Sequence, residues 1–190
     1  MNVFYQKFKE PAAPGSRDPI FKQVIYNWSH ELEKPHILNI GSERDPDLNS
    51  RAGDGWANFY WAELIQQNGV RLVIVDVDSN AINVCQQILS DFVGKIDIEF
   101  VVDSGLNWID KEPFNFAYFD GPDDNAFTLN CFEKVDRDIC SVLCDDANYG
   151  GKADLLKMRH TDYWFLPCNH THALIFYPSK ELIRKKLNKV

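Results

Sequence analysis

Short unbroken apolar runs alternate along this chain with longer stretches whose apolar positions recur at helical spacing. The clearest run is Arg71-Leu72-Val73-Ile74-Val75-Asp76-Val77-Asp78, basic at its start and closed by carboxylates. A run that short and that rich in Val and Ile predicts a strand buried on both faces, as in a parallel sheet. Ser79 opens a helical stripe of Ala81, Ile82, Cys85, Ile88, Leu89 and Phe92. The strand texture returns at His36–Gly41, Ile96–Asp103, Phe114–Asp120 and Ile139–Cys144. Helical patterns cover Gly55–Gln67, Ala126–Asp138 and Ala153–Arg159. An earlier helix is predicted after Asp18-Pro19, with Ile20, Phe21, Val24, Ile25 and Trp28 on one face and Pro35 as its stop. Tyr163–Leu166 and Ala173–Tyr177 read as a closing antiparallel pair, and Ser179–Val190 as a basic amphipathic tail.

This alternation predicts an α/β chain: a doubly wound, mostly parallel seven-stranded sheet with an antiparallel closing strand and helices on both faces, a three-layer sandwich. No repeat, low-complexity tract or shift in composition divides the 190 residues, so one domain is expected. Its parts are an N-terminal arm and helix over residues 1–34, a core over 36–177 and a tail over 178–190.

Composition narrows the function. The formal net charge of -8 disfavours binding to a nucleic-acid backbone, which needs a basic face. No apolar run approaches the roughly 20 residues that cross a membrane, and Met1–Pro14 has no signal-peptide core. The five cysteines, Cys85, Cys131, Cys140, Cys144 and Cys168, are odd in number and have no CxxC spacing. They read as reduced thiols of a cytoplasmic protein, with no zinc site expected.

The candidate chemistry lies where the strands end. Consecutive predicted strands close on Gly41, Asp76, Asp103, Asp120 and the pair Asp145-Asp146. In a parallel sheet these ends share one edge, and carboxylates gathered there repel unless something binds them. A cationic cofactor such as a sulfonium, or a hard divalent ion on Asp120, Asp145 and Asp146, would offset the repulsion. Solvated loop carboxylates are the plainer alternative. Asp76 is positioned to accept both hydrogen bonds of a ribose diol, since Asp78 or Ser79 fits the helix N-cap better. The polar stretch Ser42–Asp54 is long for a strand-to-helix loop. The helix that follows it would point amides at a ligand above Gly41.

The order of these segments, from Ile37 to Tyr177, resembles class I S-adenosylmethionine-dependent methyltransferases. Ile37–Gly41 is similar to that family's first glycine motif. Val75–Ile82 is similar to its second-strand motif, Val102–Gly105 to the motif bordering adenine, and Phe116–Gly121 to the fourth-strand motif. Val142–Asp146 resembles the fifth strand of metal-dependent small-molecule O-methyltransferases. The resemblance implies a Rossmann-like domain that binds S-adenosylmethionine. Asp76 and Val77 would meet the ribose, Asp103 and Ser104 the adenine, and Gly41, Ser42, Gly55 and Trp56 the methionine end. Asp120 would border the cofactor and, with Asp145 and Asp146, hold Mg2+ for activation of a substrate hydroxyl. Asp123 or Asp124 would be the general base, or solvate a turn.

The chain departs from the family at the first loop. The compact GxGxG is missing, and about a dozen residues separate Gly41-Ser42-Glu43 from Gly53-Asp54-Gly55-Trp56. Asn39 stands where an acidic residue is usual. Either Gly53 and Gly55 return to complete the site, or cofactor binding is altered or lost. An NAD-type α/β enzyme is a rival, although GxGxxG is absent. A non-catalytic binding domain is another. His160, His170 and His172 are expected to be structural or to shuttle protons, and Trp56, Trp61, Trp108 and Trp164 to pack the core or rim. The expected partner is a small-molecule acceptor, with neither membrane nor nucleic acid, and a homodimer is possible.

Overall fold

The structure, a computed structural model, describes residues 34–47, 56–148, 152–167 and 172–178. The N-terminal arm and helix, Gly53, Gly55, Gly150-Gly151, Cys168, His170 and the tail from Ser179 lie outside them.

In chain order the elements are β1 (His36–Ile40), α1 (Ala57–Asn68), β2 (Arg71–Asp76), α2 (Ser79–Ile88), β3 (Ile98–Val102) and α3 (Gly105–Trp108). They continue with β4 (Phe116–Phe119), α4 (Asn125–Lys134), β5 (Ser141–Cys144), α5 (Asp154–Arg159), β6 (Tyr163–Pro167) and β7 (His172–Phe176). The seven strands form one sheet in the order β3-β2-β1-β4-β5-β7-β6. Strands β1 to β5 pair in parallel, whereas β7 runs antiparallel to β5 and β6 antiparallel to β7. This is the doubly wound α/β sheet that the alternation of runs and stripes predicts.

The unbroken apolar runs exist because both faces of the sheet are covered. Ile37, Leu72, Ile74, Phe116, Tyr118 and Leu143 pack with α1 and α2 in one core. Leu38, Val73, Val75, Ala117, Val142 and Cys144 pack with α4 and α5 in the other. Side chains alternate across a strand, so a strand between two helical layers needs apolar residues at every position. Strand β3 at one sheet edge is only half-buried, which is why it alone showed a period of two.

Helix starts follow local chemistry. Asp78 caps α2 by accepting from Asn80 N at 2.8 Å. Asp124 caps α4, accepting from Ala126 N at 2.8 Å and Phe127 N at 3.0 Å. Two boundaries differ from the sequence reading. The apolar stripe of α2 extends to Phe92, but the helix ends at Ile88 and Leu89 and Phe92 reach the core from a turn. After β3, where no helical stripe is read, Ser104 caps the one-turn α3. The closing pair also has a specific order. Ala173, Leu174, Ile175 and Phe176 are buried and lie inside the sheet, while Trp164 and Phe165 are 58% and 52% exposed on the outer strand.

Candidate functional site

Parallel pairing brings the predicted strand ends into one row. The ladder continues one residue past the strands: Gly41 N donates to Val75 O at 2.9 Å and Asp103 N to Asp76 O at 3.0 Å. Asp120 N donates to Ile40 O at 2.9 Å and Asp145 N to Phe119 O at 3.0 Å. Gly41, Asp76, Asp103, Asp120 and Asp145 therefore stand along one edge.

At the β1 and β2 end, Gly41 turns with φ +105°, and a Cβ there would meet Asp120 O at 2.3 Å. Only glycine allows this approach. Asp76 is buried, and both of its oxygens are held. Oδ2 accepts from Ser42 N at 2.9 Å and Ser42 Oγ at 3.1 Å, and Oδ1 accepts from Asp78 N at 2.9 Å. Val77 beside it is 72% exposed at the same edge. Asp103 and Ser104 are adjacent but engaged locally. Hydrogen bonds from Asn107 and the Ser104 amide hold the Asp103 carboxyl below its usual range, with Lys111 and Trp108 adding to the effect. Ser104 caps α3 through Leu106 N.

Trp56 has no exposed surface, and its ring packs in the core against Phe59 at 5.5 Å. Its backbone, at the N-cap of α1, is left-handed with φ 41°. Asp124 is the cap of α4, where its Oδ1 accepts the amides of Ala126 and Phe127. Asp123 is exposed in the same turn. His160 packs on Phe132 at 4.7 Å, and Trp61 is buried. The side chain of His172 is not described, and Gly55 lies outside the described residues.

At the β4 and β5 end, Asp120, Asp145 and Asp146 each offer an oxygen within 4.8 Å of the others. Asp145 is 2% exposed, with Oδ2 accepting from the Tyr118 hydroxyl at 2.9 Å and Oδ1 from the Asp146 amide at 2.8 Å. Lys152 joins them. Its side chain is 3% exposed, with Nζ 3.0 Å from Asp120 Oδ1 and 3.8 Å from Asp146 Oδ2. Burial works against the lysine's charge, but Asp120 and Asp146 outweigh it and raise the ammonium above its ordinary range. Burial also pushes the Cys144 thiol at the end of β5 up to about 12, so it stays protonated and is no nucleophile.

No protein-family model matches the chain, and no curated protein does. Solved structures do match. A Podospora anserina methyltransferase with SAH bound superposes with a TM-score of 0.65 at 11% identity, over 94% of this chain and 89% of the other. An O-methyltransferase from Bacillus cereus in complex with SAH gives 0.61 at 11% identity, over 92% and 90%. An rRNA methylase from Streptococcus thermophilus gives 0.58 at 17% identity, over 89% and 100%. The chain has the class I methyltransferase fold.

Within that fold two residues escaped the sequence reading. Glu43 is 3% exposed and sits on the first turn of α1, where Oε1 accepts from Asn58 N at 3.1 Å and Oε2 from Asn58 Nδ2 at 3.0 Å. Burial raises its pKa, against the hydrogen bonds from Cys85 and Asn58 that lower it. A carboxylate thus reaches this part of the methyltransferase fold from the loop, while Asn39 bonds Gly41 O and accepts from Trp61 Nε1 at 3.0 Å. The available signal was the missing acid at Asn39 with another one four positions on. Lys152 is the second. It follows Gly150-Gly151 in the sequence and carried no motif.

The trio's oxygens suit a hard cation in type and spacing. With the Lys152 ammonium among them, the residues present do not fit a magnesium ion.

Proposed function

We propose that this chain is an S-adenosylmethionine-dependent methyltransferase whose acceptor is an oxygen of a small molecule. The observation that carries the reading is Asp76, buried at the end of β2 and braced by Ser42 and Asp78 beside the Gly41 turn. A fixed carboxylate can accept from a vicinal diol without first being ordered, so binding loses little freedom. In this reading Asp76 takes the ribose, with Val77 beside it. Asp103 and Ser104 border the adenine. Gly41 and Ser42, with Gly55, pass along the methionine end.

The chemistry is one displacement. The acceptor oxygen attacks the methyl carbon in line as the carbon–sulfur bond breaks, giving the methylated acceptor and S-adenosylhomocysteine. The acceptor's proton leaves to a base, for which exposed Asp123 is the candidate. The sulfonium is cationic before transfer and the product thioether neutral. An acidic edge containing Asp120 therefore favours binding of the charged reactant over the neutral product. Positioning supplies most of the remaining effect. The net charge of -8 supports a small acceptor over nucleic acid. The four described cysteines, all buried free thiols, support a cytoplasmic setting. Among the described residues no helix is long and apolar enough to cross a membrane.

A second reading, a binding domain that kept the fold, is favoured by one feature: Ser42 and Glu43 already engage Asp76 and the start of α1. Calorimetric titration of S-adenosylmethionine separates the two. Micromolar binding that weakens by about a hundredfold in Asp76→Ala, the loss of a charge-assisted hydrogen bond, supports the enzyme. No binding, and no S-adenosylhomocysteine carried through purification by mass spectrometry, supports the binding domain.

A further inference from the structure

The acidic trio at the β4 and β5 ends is built around a charge of the chain's own. Backbone pairing forces the trio together: Asp145 N bonds Phe119 O, next to Asp120, and Asp146 follows with a left-handed φ of 49°. Its oxygens lie within 4.8 Å of one another, and Asp145 is 2% exposed. Carboxylates that close and that dry need protons or a cation. The Tyr118 hydroxyl and the Asp146 amide, both neutral donors, serve Asp145. Lys152 serves the other two, 3.0 Å from Asp120 Oδ1 and 3.8 Å from Asp146 Oδ2. A lysine side chain only 3% exposed is equally dependent on the carboxylates. Each side accounts for the other, and the ammonium stands against two of the three carboxylates that a divalent ion would use.

We propose that Lys152 is the resident cation of this cluster, so that Asp120, Asp145 and Asp146 form a lysine-neutralised site in place of a divalent-metal site. Among the described residues, Lys152 is the ammonium that stands within 4 Å of Asp120 and Asp146. If the reading under Proposed function holds, methyl transfer proceeds with metal chelated.

The test is calorimetric titration of MnCl2 and MgCl2 into the chelator-treated full chain, as wild type and as Lys152→Met. The wild type is expected to show no saturable binding up to about 1 mM ion, the range of weak carboxylate sites. Lys152→Met, which uncovers the carboxylates, is expected to bind Mn2+ at least about tenfold tighter, and adding Asp145→Asn is expected to remove the gain. If Lys152→Met is too unstable to titrate, a rise in its melting temperature with Mn2+, absent in the wild type, carries the same meaning. If it does not fold even with Mn2+, the wild-type titration decides alone. Stoichiometric Mn2+ binding by the wild type that Asp145→Asn abolishes would overturn the proposal. So would a folded Lys152→Met that binds Mn2+ no better than the wild type. None of these readouts uses methyl transfer, so a chain that fails to bind S-adenosylmethionine still gives a clear answer here.

Discussion

Gly41 is the residue at which the site edge is least tolerant. Its φ is +105°, and an added Cβ would stand 2.3 Å from the Asp120 carbonyl, a backbone atom that the β1–β4 pairing holds in place. Gly41→Ala is expected to cost about 3 kcal/mol of stability or more, combining left-handed strain with overlap, and a urea melt would show it. Glu43 makes the opposite kind of prediction. Burial raises its folded pKa above the ordinary glutamate value, so its contribution to stability is fully present below the ordinary value and is lost as pH rises through the raised one. Glu43→Gln removes that titration. Melting temperatures measured from pH 4 upward should fall for the wild type relative to the variant, and parallel curves would rule out the raised pKa.

Among the elements, α4 separates a structural carboxylate from a chemical one. Asp124 accepts the amides of Ala126 and Phe127 at 2.8 and 3.0 Å. Asp124→Ala is expected to lower stability by about 1 kcal/mol, the usual effect of losing a cap, and to leave kcat/KM within a few fold. Asp123→Asn should instead lower kcat without moving the melting temperature, if Asp123 takes the acceptor's proton. The sequence placed both aspartates in one turn and had no means of separating them. Capping depends on which of two adjacent side chains turns back onto the helix, and that is a backbone dihedral, not a residue type.

For the whole molecule, a cofactor that binds only the folded chain must stabilise it. S-adenosylmethionine at a hundred times its dissociation constant should add about 2.7 kcal/mol, read as a rise in melting temperature that disappears in Asp76→Ala. The fold was largely legible beforehand because parallel strands covered on both faces leave a plain mark, unbroken apolar runs such as Leu72–Val75. Helices on those faces leave another, in stripes such as Ala81, Ile82 and Cys85. The row of strand ends was legible for the same reason, since parallel pairing must bring every carboxyl end to one edge.

The amino-acid order settled which residues reach that edge, because strand periodicity and parallel pairing are local and repetitive. Tertiary structure decided what each of them does there. It turned the Trp56 ring into the core, placed Glu43 on the start of α1 and brought Lys152 to Asp120, thirty-two positions away in the chain. Those outcomes depend on burial and on contacts between segments remote in sequence. A buried charge reveals its partner only once the chain has folded around both.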